Sequence, residues 1–208
     1  MSRPLGGRQV NPVGLGCMSL SWAYGVPPGE DYAIALLNKA LDLGYDHLDT
    51  ANIYGLGHNE TLLGKALKTR RNKFFLATKM GIVVEGPNRG IDCSPEAIRR
   101  NIDLSLQRLQ TDRVDLYYMH RFDPKVPVAD MAGTMGELIA AGKIGSYGVS
   151  EWSAAHIREA HAVTPMAAVQ TEYSLWTRNP EIAVLDTCAE LDITFVAFSP
   201  VGRGVLAN

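Results

Sequence analysis

Short β-rich runs alternate along the chain with longer segments in which apolar residues recur at helical spacing. The β-rich runs are VGLGCM, DHLDTA, FFLATK, DLYYMH, SYGVS, AAVQTE and TFVAFSP. Amphipathic helices are predicted over 31–45, where Gly44 fits the C-cap position, and over 94–109, 153–163 and 180–191. Strands that alternate with helices predict a parallel sheet whose strands are joined by crossover helices.

The helix predicted after Ser94 carries clear boundary signals. Ser94 suits the N-cap position, and Pro95 suits the first helical position. Leu104, Leu106 and Leu109 follow at helical spacing, which predicts an apolar stripe that faces the core.

The spacing of the strands bears on the choice between an open sheet and a barrel. The presumed strand ends are roughly 30 residues apart, which is the size of one βα unit. Polar side chains recur at these ends, as a barrel mouth requires, whereas an open sheet would concentrate its site at one switch point. The residues concerned are Asp49, Lys79, His120, Ser150, Glu172 and Ser199.

This pattern favours one α/β domain over residues 1–208, folded as an incomplete (β/α)8 TIM barrel. An eight-stranded barrel typically needs about 250 residues, and the chain has 208. Seven of eight strands are predicted, so the last βα unit and the C-terminal loop are expected to be missing. Strands one and seven would then have unpaired edges, from which self-association is expected.

Composition narrows the class of protein. The chain has 20 Lys and Arg against 22 Asp and Glu, so its net charge of −2 argues against a nucleic-acid partner. No apolar run is long enough for a membrane span, and the N-terminus lacks a secretory signal. Cys17, Cys93 and Cys188 lie far apart, which argues against a disulfide scaffold or zinc ribbon, predicts no metal site and favours a reducing, cytoplasmic location. We expect all three cysteines to be buried as small apolar side chains.

Four residues at or near consecutive strand ends form a candidate catalytic set. Asp49, Lys79 and His120 end three strands, and Tyr54 follows Asp49 in a loop. A phenol, an ammonium, a carboxylate and an imidazole at one rim make a proton-delivery site. Tyrosine ordinarily titrates near pH ~10, and a nearby ammonium is expected to lower that pKa. Each residue alone has an ordinary structural explanation, but their common placement does not.

Several stretches resemble the aldo-keto reductase superfamily, in the family's order and over almost the whole chain: GLGCMSLSWAYG, LDTANIYGLGHNETLLGKALK, FLATKMGI, DLYYMHRFDP, GKIGSYGVSEWS, AAVQTEYSLW and FSPVGRG. HNETLLGKAL and VQTEYSLWTR are most similar to the bacterial and plant branch with auxin-induced-type and perakine-reductase-like proteins. The resemblance implies an NADP-dependent reductase of small aldehydes or ketones that prefers NADPH to NADH. It also implies that Tyr54 protonates the carbonyl oxygen, that Lys79 and Asp49 adjust the acidity of Tyr54, and that His120 orients the carbonyl.

The resemblance further assigns the cofactor and substrate contacts. No Gly-x-Gly-x-x-Gly motif occurs, so a Rossmann-type cofactor site is unsupported. By resemblance, the cofactor instead lies across the barrel mouth, with the carboxamide, the nicotinamide ring and the pyrophosphate contacted in turn along the chain. The implied cofactor residues are Ser150 and Gln170, then Phe198, then Ser199, Pro200, Val201, Gly202 and Arg203. The implied substrate residues are Trp22, Tyr24, Arg121 and Trp152.

Two other functions remain open from the sequence. A truncated barrel could serve as a noncatalytic binding or regulatory subunit, because a fold alone does not establish an enzyme. A lyase or aldolase that forms a Schiff base on Lys79 is the third alternative. By resemblance, the missing segment normally grips the adenosine end and the 2′-phosphate, so weak NADPH binding is expected of this chain.

Overall fold

The computed structural model describes residues 2–86 and 88–207, with the side chain of Glu85 left out. Seven parallel strands form its main sheet in chain order; one short antiparallel hairpin precedes the first of them, and a second hairpin follows the third. Each of the seven predicted β-rich runs overlaps one strand of the main sheet. The strands are β1 (Arg3–Leu5), β2 (Arg8–Val10), β3 (Leu15–Gly16), β4 (His47–Asp49), β5 (Phe75–Met80), β6 (Ile82–Glu85), β7 (Asn88–Ile91), β8 (Val114–Met119), β9 (Ile144–Ser150), β10 (Ala168–Glu172) and β11 (Thr194–Phe198).

The main sheet curls as a barrel does. Strands β4 and β10 are separated in the sheet by β5, β8 and β9. Even so, the Gln170 amide on β10 donates a hydrogen bond to the Asp49 carboxylate on β4 at 2.9 Å. Side chains from strands so far apart in a flat sheet would not meet, because neighbouring strands are about 4.8 Å apart. The fold is therefore an incomplete (β/α)8 barrel with seven strands, as predicted.

Helices connect successive strands of the main sheet. The α-helices are α1 (Glu30–Asp42), α2 (His58–Leu67), α3 (Pro95–Leu109), α4 (Val128–Ala140), α5 (Ala154–Val163) and α6 (Val184–Glu190). The Ser94 hydroxyl accepts a hydrogen bond from the Ala97 amide, and Ser153 caps α5 in the same way, which satisfies amide groups that the first turn leaves free. Among residues 2–86 and 88–207, no helix is long and apolar enough to span a membrane.

The buried face of α3 differs from the predicted stripe. Ile98, Ile102 and Leu109 are buried, whereas Leu104 is exposed and Leu106 is only partly buried. The prediction that Leu104 faces the core was wrong, because Leu104, Leu106 and Leu109 do not lie on one face of the helix. The row of buried residues instead begins at Ile98, one turn after the N-cap.

The N-terminal hairpin closes the inside of the barrel at the end opposite the strands' carboxyl termini. Leu5 and Val10 pack against the inward-facing Phe75, Leu116 and Tyr118 in one apolar cluster. The hairpin also reaches the last strand, because the Thr194 hydroxyl donates to the Pro4 carbonyl at 2.9 Å. Its two strands have three residues each, too short for a periodic signal, so the sequence did not predict them.

The larger core lies between the sheet and the helices. All three cysteines are buried and free, and burial raises the pKa of the Cys17 and Cys93 thiols to about 12. They behave as small apolar side chains, as expected. Helices α2 and α3 approach each other most closely at Gly64, where a Cβ atom would lie 2.8 Å from the Leu109 carbonyl carbon.

Candidate active site

The four candidate catalytic residues meet at the carboxyl ends of β4, β5 and β8. Asp49 is the last residue of β4, Lys79 lies near the end of β5, and His120 follows β8 directly. Tyr54 begins a short 3-10 turn after β4. Parallel neighbouring strands end at the same edge, so the sheet itself brings these side chains together.

The Lys79 ammonium is fully buried and lies at the centre of the cluster. It forms an ion pair with the Asp49 carboxylate and donates to the Thr50 carbonyl at 3.0 Å. Its nitrogen lies 3.5 Å from the Tyr54 hydroxyl oxygen. The second carboxylate oxygen of Asp49 accepts the hydrogen bond from Gln170 described above, so the acid that pairs with the lysine is itself held from across the barrel.

The protonation states follow from burial and charge. Burial opposes a charged lysine, but the Asp49 carboxylate and the Tyr54 hydroxyl outweigh it and raise the pKa of Lys79. The pKa of Tyr54 is also raised, because burial of the phenol outweighs the opposing effect of the Lys79 ammonium. The prediction that the ammonium lowers the tyrosine pKa was therefore wrong in its net direction. Tyr54 is neutral and Lys79 is charged at neutral pH.

His120 faces Tyr54 as a neutral imidazole. Their ring centroids are 5.9 Å apart, and the rings are nearly perpendicular. Burial, together with the charges of Lys79 and Arg121, lowers the pKa of His120 to about 2. Its Nδ1 atom is buried and has no hydrogen-bond partner among the described residues. A neutral imidazole has one N–H donor, which suits it to hold a carbonyl oxygen.

A buried ion pair supports the turn that carries Tyr54. Glu60, on α2, is fully buried and accepts 2.6 Å hydrogen bonds from the Thr78 hydroxyl on β5 and the Arg108 guanidinium on α3. The same guanidinium lies under Gly57, where a Cβ atom would stand 2.8 Å from its Nε. Gly57 has a φ of +93°, so the chain there needs both glycine's freedom and its lack of a side chain.

Asn59 is the second buried support. Its side-chain oxygen accepts from the Thr50 hydroxyl at 2.6 Å, and its amide donates to the Cys17 carbonyl and the Ser21 hydroxyl at 2.8 Å. It thereby ties the start of α2 to the ends of β3 and β4. Asn59 and Glu60 were not predicted as site residues, although both lie in the HNETLLGKAL stretch that resembles the family.

The residues expected to hold a cofactor lie along the rim from β9 to β11. Ser150 and Gln170 are direct neighbours in the β9–β10 register. The Ser150 hydroxyl is buried and accepts a hydrogen bond from the Arg121 guanidinium at 3.3 Å. Phe198 ends β11 and is half-buried. Ser150 and Phe198 therefore end their strands, and Gln170 lies in the middle of the strand between them.

The segment after β11 forms a tight turn with backbone in the left-handed region. Ser199, Gly202 and Arg203 have φ values of +51°, +56° and +58°. The Arg203 guanidinium is exposed and lies 3.4 Å from the Glu172 carboxylate. Within the same segment Gly202 is buried, while Pro200 and Val201 are exposed.

The four expected substrate residues fall into different environments. Trp22 is half-buried, and its ring centroid lies 6.3 Å from that of Tyr54. Arg121 donates to the His120 carbonyl at 2.6 Å and so borders the site. Tyr24 is 67% exposed, with no described contact to the catalytic set. Trp152 is buried, and its ring packs 5.1 Å from that of Phe122 on the outer side of the sheet.

Comparisons with known proteins agree with this geometry. The profile described as the aldo/keto reductase family matches residues 12–208. A probable aldo-keto reductase from Glycine max is 44% identical over 200 residues, which are 95% of this chain and 58% of that protein. The chain thus spans somewhat more than half the length of that curated relative.

Two solved structures superpose closely on the chain. A holo-form aldo-keto reductase from Bacillus halodurans gives a TM-score of 0.89 at 35% identity, covering 99% of this chain and 68% of that one. A glycerol dehydrogenase from Gluconobacter oxydans also gives 0.89, at 31% identity, covering 99% of this chain and 65% of that one.

Proposed function

Since the chain belongs to the aldo/keto reductase family, we propose that it is an NADP-dependent oxidoreductase that reduces an aldehyde or ketone carbonyl to an alcohol. The observation that carries the proposal is the position of the neutral Tyr54 hydroxyl 3.5 Å from the Lys79 ammonium. A neutral phenol has a proton to give, and a charged ammonium stabilises the phenolate that remains.

The mechanism assigns one task to each residue of the set. The His120 N–H and the Tyr54 O–H both hydrogen-bond the carbonyl oxygen and fix its position. A reduced nicotinamide, when bound, supplies the hydride that goes to the carbonyl carbon. Tyr54 gives its proton to the oxygen as negative charge develops there. Lys79 stabilises the tyrosinate, and Asp49 keeps the lysine charged in its buried position.

The rim residues fit a nicotinamide cofactor. The Ser150 hydroxyl accepts a hydrogen bond from Arg121 and keeps its own proton for a carboxamide oxygen. Gln170, beside it, adds an amide group, and the Phe198 ring offers an apolar face for the nicotinamide. Ser199, Pro200, Val201, Gly202 and Arg203 would follow the pyrophosphate, and the exposed Arg203 guanidinium is the cation available to it.

The site argues against a Schiff-base function for Lys79. A nucleophilic lysine must be neutral, whereas the Asp49 carboxylate raises the pKa of Lys79 and holds it as an ammonium. Its nitrogen is also fully buried and already donates to Asp49 and the Thr50 carbonyl. The lyase or aldolase alternative is therefore not proposed.

Spectrophotometry of the cofactor tests the function. We expect the chain to oxidise NADPH in the presence of a simple aromatic aldehyde, and to reduce NADP⁺ in the presence of the corresponding alcohol. The reverse direction is included because the Gluconobacter oxydans neighbour is named a glycerol dehydrogenase. Nucleotide binding without turnover would favour the noncatalytic binding subunit, and trapping of a substrate on Lys79 by borohydride would favour a lyase.

A further inference from the structure

An arginine on the second hairpin stands over the aromatic residue beside Tyr54. The Arg89 guanidinium carbon on β7 lies 4.8 Å from the centroid of the Trp22 ring. The Trp22 ring in turn lies 6.3 Å from the Tyr54 ring. The base of this hairpin is fixed to the site, because Ile82 packs against the cluster of Ala51, Ile53 and Tyr54. The hairpin thus holds a cation at the wall of the proposed substrate site.

The charges around Tyr54 do not cancel. The Lys79 ammonium is matched by the Asp49 carboxylate, and His120 is neutral. Arg121 donates to the His120 carbonyl and the Ser150 hydroxyl, both uncharged groups. Among the described side chains, neither Arg89 nor Arg121 forms an ion pair with a carboxylate. As far as the described side chains extend, both guanidinium groups are therefore available to an anionic group of a ligand.

We infer that Arg89, supported on the Trp22 ring, binds a carboxylate of the substrate, so that the site prefers carbonyl compounds that carry a carboxylate away from the reacting carbonyl. This inference rests on the proposed function and adds the substrate class to it. A guanidinium stacked on an aromatic face keeps its N–H edge free, and that planar fork matches the two oxygens of a carboxylate. Trp22 then provides the apolar surface between the carboxylate and the carbonyl.

The contact between Arg89 and the substrate carboxylate should weaken as the salt concentration rises, because Arg89 is exposed. A lysine at the same position would keep the charge but lose the planar fork, so Arg89→Lys should retain only part of the preference for carboxylate-bearing substrates. Arg113 offers a matched control: it is an exposed arginine just before β8, at the opposite end of the strands from Tyr54.

A binding experiment without cofactor tests the inference on the whole chain. The probes are 4-carboxybenzaldehyde and its methyl ester, which differ mainly in the negative charge, titrated by calorimetry or ligand-observed NMR. We expect the acid to bind about tenfold more tightly than the ester at low salt. Arg89→Met should abolish that ratio and leave ester binding within about twofold, whereas Arg113→Met should leave the ratio unchanged.

Equal affinity for acid and ester, a ratio that survives in Arg89→Met, or no binding of either probe would overturn the inference. Its failure is distinguishable from failure of the proposed function, because turnover of the methyl ester with NADPH does not require Arg89. A chain that reduces the ester but shows no preference for the acid remains a reductase with a different substrate class.

Discussion

At the scale of single residues, the Lys79–Asp49 pair sets the chemistry of the site. A fully buried ammonium without a partner would be strongly destabilising, and it would lose its proton. Asp49 prevents this, while Gln170 holds Asp49 from the far side of the barrel. The phenol beside them is neutral, so in the proposed mechanism the ammonium acts mainly on the tyrosinate that forms during the reaction. Under this proposal the same pair serves both stability and proton transfer.

The buried neutral His120 makes the fold sensitive to acid. Its folded pKa of about 2 lies below the unfolded value near 6.5, so only the unfolded chain takes up a proton between these values. Stability from this group is present above about pH 6.5 and falls as the pH decreases below it. We expect a loss of about 2 kcal/mol between pH 7 and pH 5 from His120 alone.

Urea unfolding of the wild type and His120→Asn at the two pH values measures this contribution. The variant should show a pH dependence smaller by about that amount. His47, whose pKa is also lowered by burial, contributes equally to both proteins and cancels in the comparison. Identical pH dependence of the two proteins would mean that His120 has the same pKa in the folded and the unfolded chain, which would contradict a buried imidazole that resists protonation.

The sequence predicted which residues meet, but not how they are protonated. Asp49, Lys79 and His120 could be placed at one rim because parallel strand ends coincide. The net pKa shift of Tyr54 depends on how deeply the phenol is buried, and a loop residue carries no periodic signal of burial. Glu60 was missed for a different reason, since an acid in an amphipathic helix is ordinarily expected to be exposed.

At the scale of elements, helix α2 links the Tyr54 turn to the rest of the barrel. Asn59 and Glu60 in its first turn bind the ends of the strands, and Gly64 allows it to lie directly against α3. Gly57, just before it, allows the Arg108 guanidinium to pass underneath. One helix thus positions the catalytic turn through two buried polar side chains and two glycines.

Alanine at Gly64 should therefore destabilise the fold. A Cβ there would lie 2.8 Å from the Leu109 carbonyl carbon, so α2 and α3 would have to move apart. We expect a loss of about 1–3 kcal/mol in the free energy of unfolding. Gly133, on α4, is the matched control because its Cβ would meet nothing within 4 Å.

Gly133→Ala should stabilise the chain by about 0.5–1 kcal/mol, since alanine loses less conformational freedom in a helix than glycine does. Chemical unfolding of both variants measures the two changes in the free energy of unfolding. Changes of the same sign in the two variants would contradict the close α2–α3 contact.

The elements that were predicted overlap β-rich runs or helical segments of five residues or more, even where the strand itself is shorter. The main-sheet strands and the helices near 31–45, 94–109 and 153–163 fall into this class. The last helical segment proved to be two pieces, a 3-10 turn over Asn179–Ile182 and then α6. The two hairpins were missed because their strands of three or four residues lie outside such runs, although the second hairpin places Arg89 over the Trp22 ring.

At the scale of the whole molecule, the outer edge of the sheet at β11 is where we expect association to occur. Among the described residues, β11 pairs with β10 on one side and with no strand on the other. An open parallel edge presents unpaired N–H and C=O groups to a second chain. We expect larger species to form as the concentration of the 208-residue chain rises, measured by sedimentation velocity.

Lysine on this edge should reduce the association. Ala197 is an exposed residue of β11, and a charged side chain there disfavours strand addition. Ala155→Lys, on the exposed face of α5, adds the same charge away from the edge and serves as the control. Equal effects of the two substitutions, or a wild type that is monomeric at every concentration, would contradict association through β11.

The most direct test of the account is carbonyl reduction by Tyr54→Phe with the same aldehyde and NADPH. The variant keeps the ring that packs against His120 and Trp22 and loses only the hydroxyl beside Lys79. Tyr32→Phe, at an exposed position on α1, removes a hydroxyl far from the site and should behave like the wild type. We predict that Tyr54→Phe lowers kcat by about 100-fold or more while NADPH affinity, measured by fluorescence, stays within about threefold. Near-normal turnover by Tyr54→Phe would contradict the assignment of Tyr54 as the proton donor.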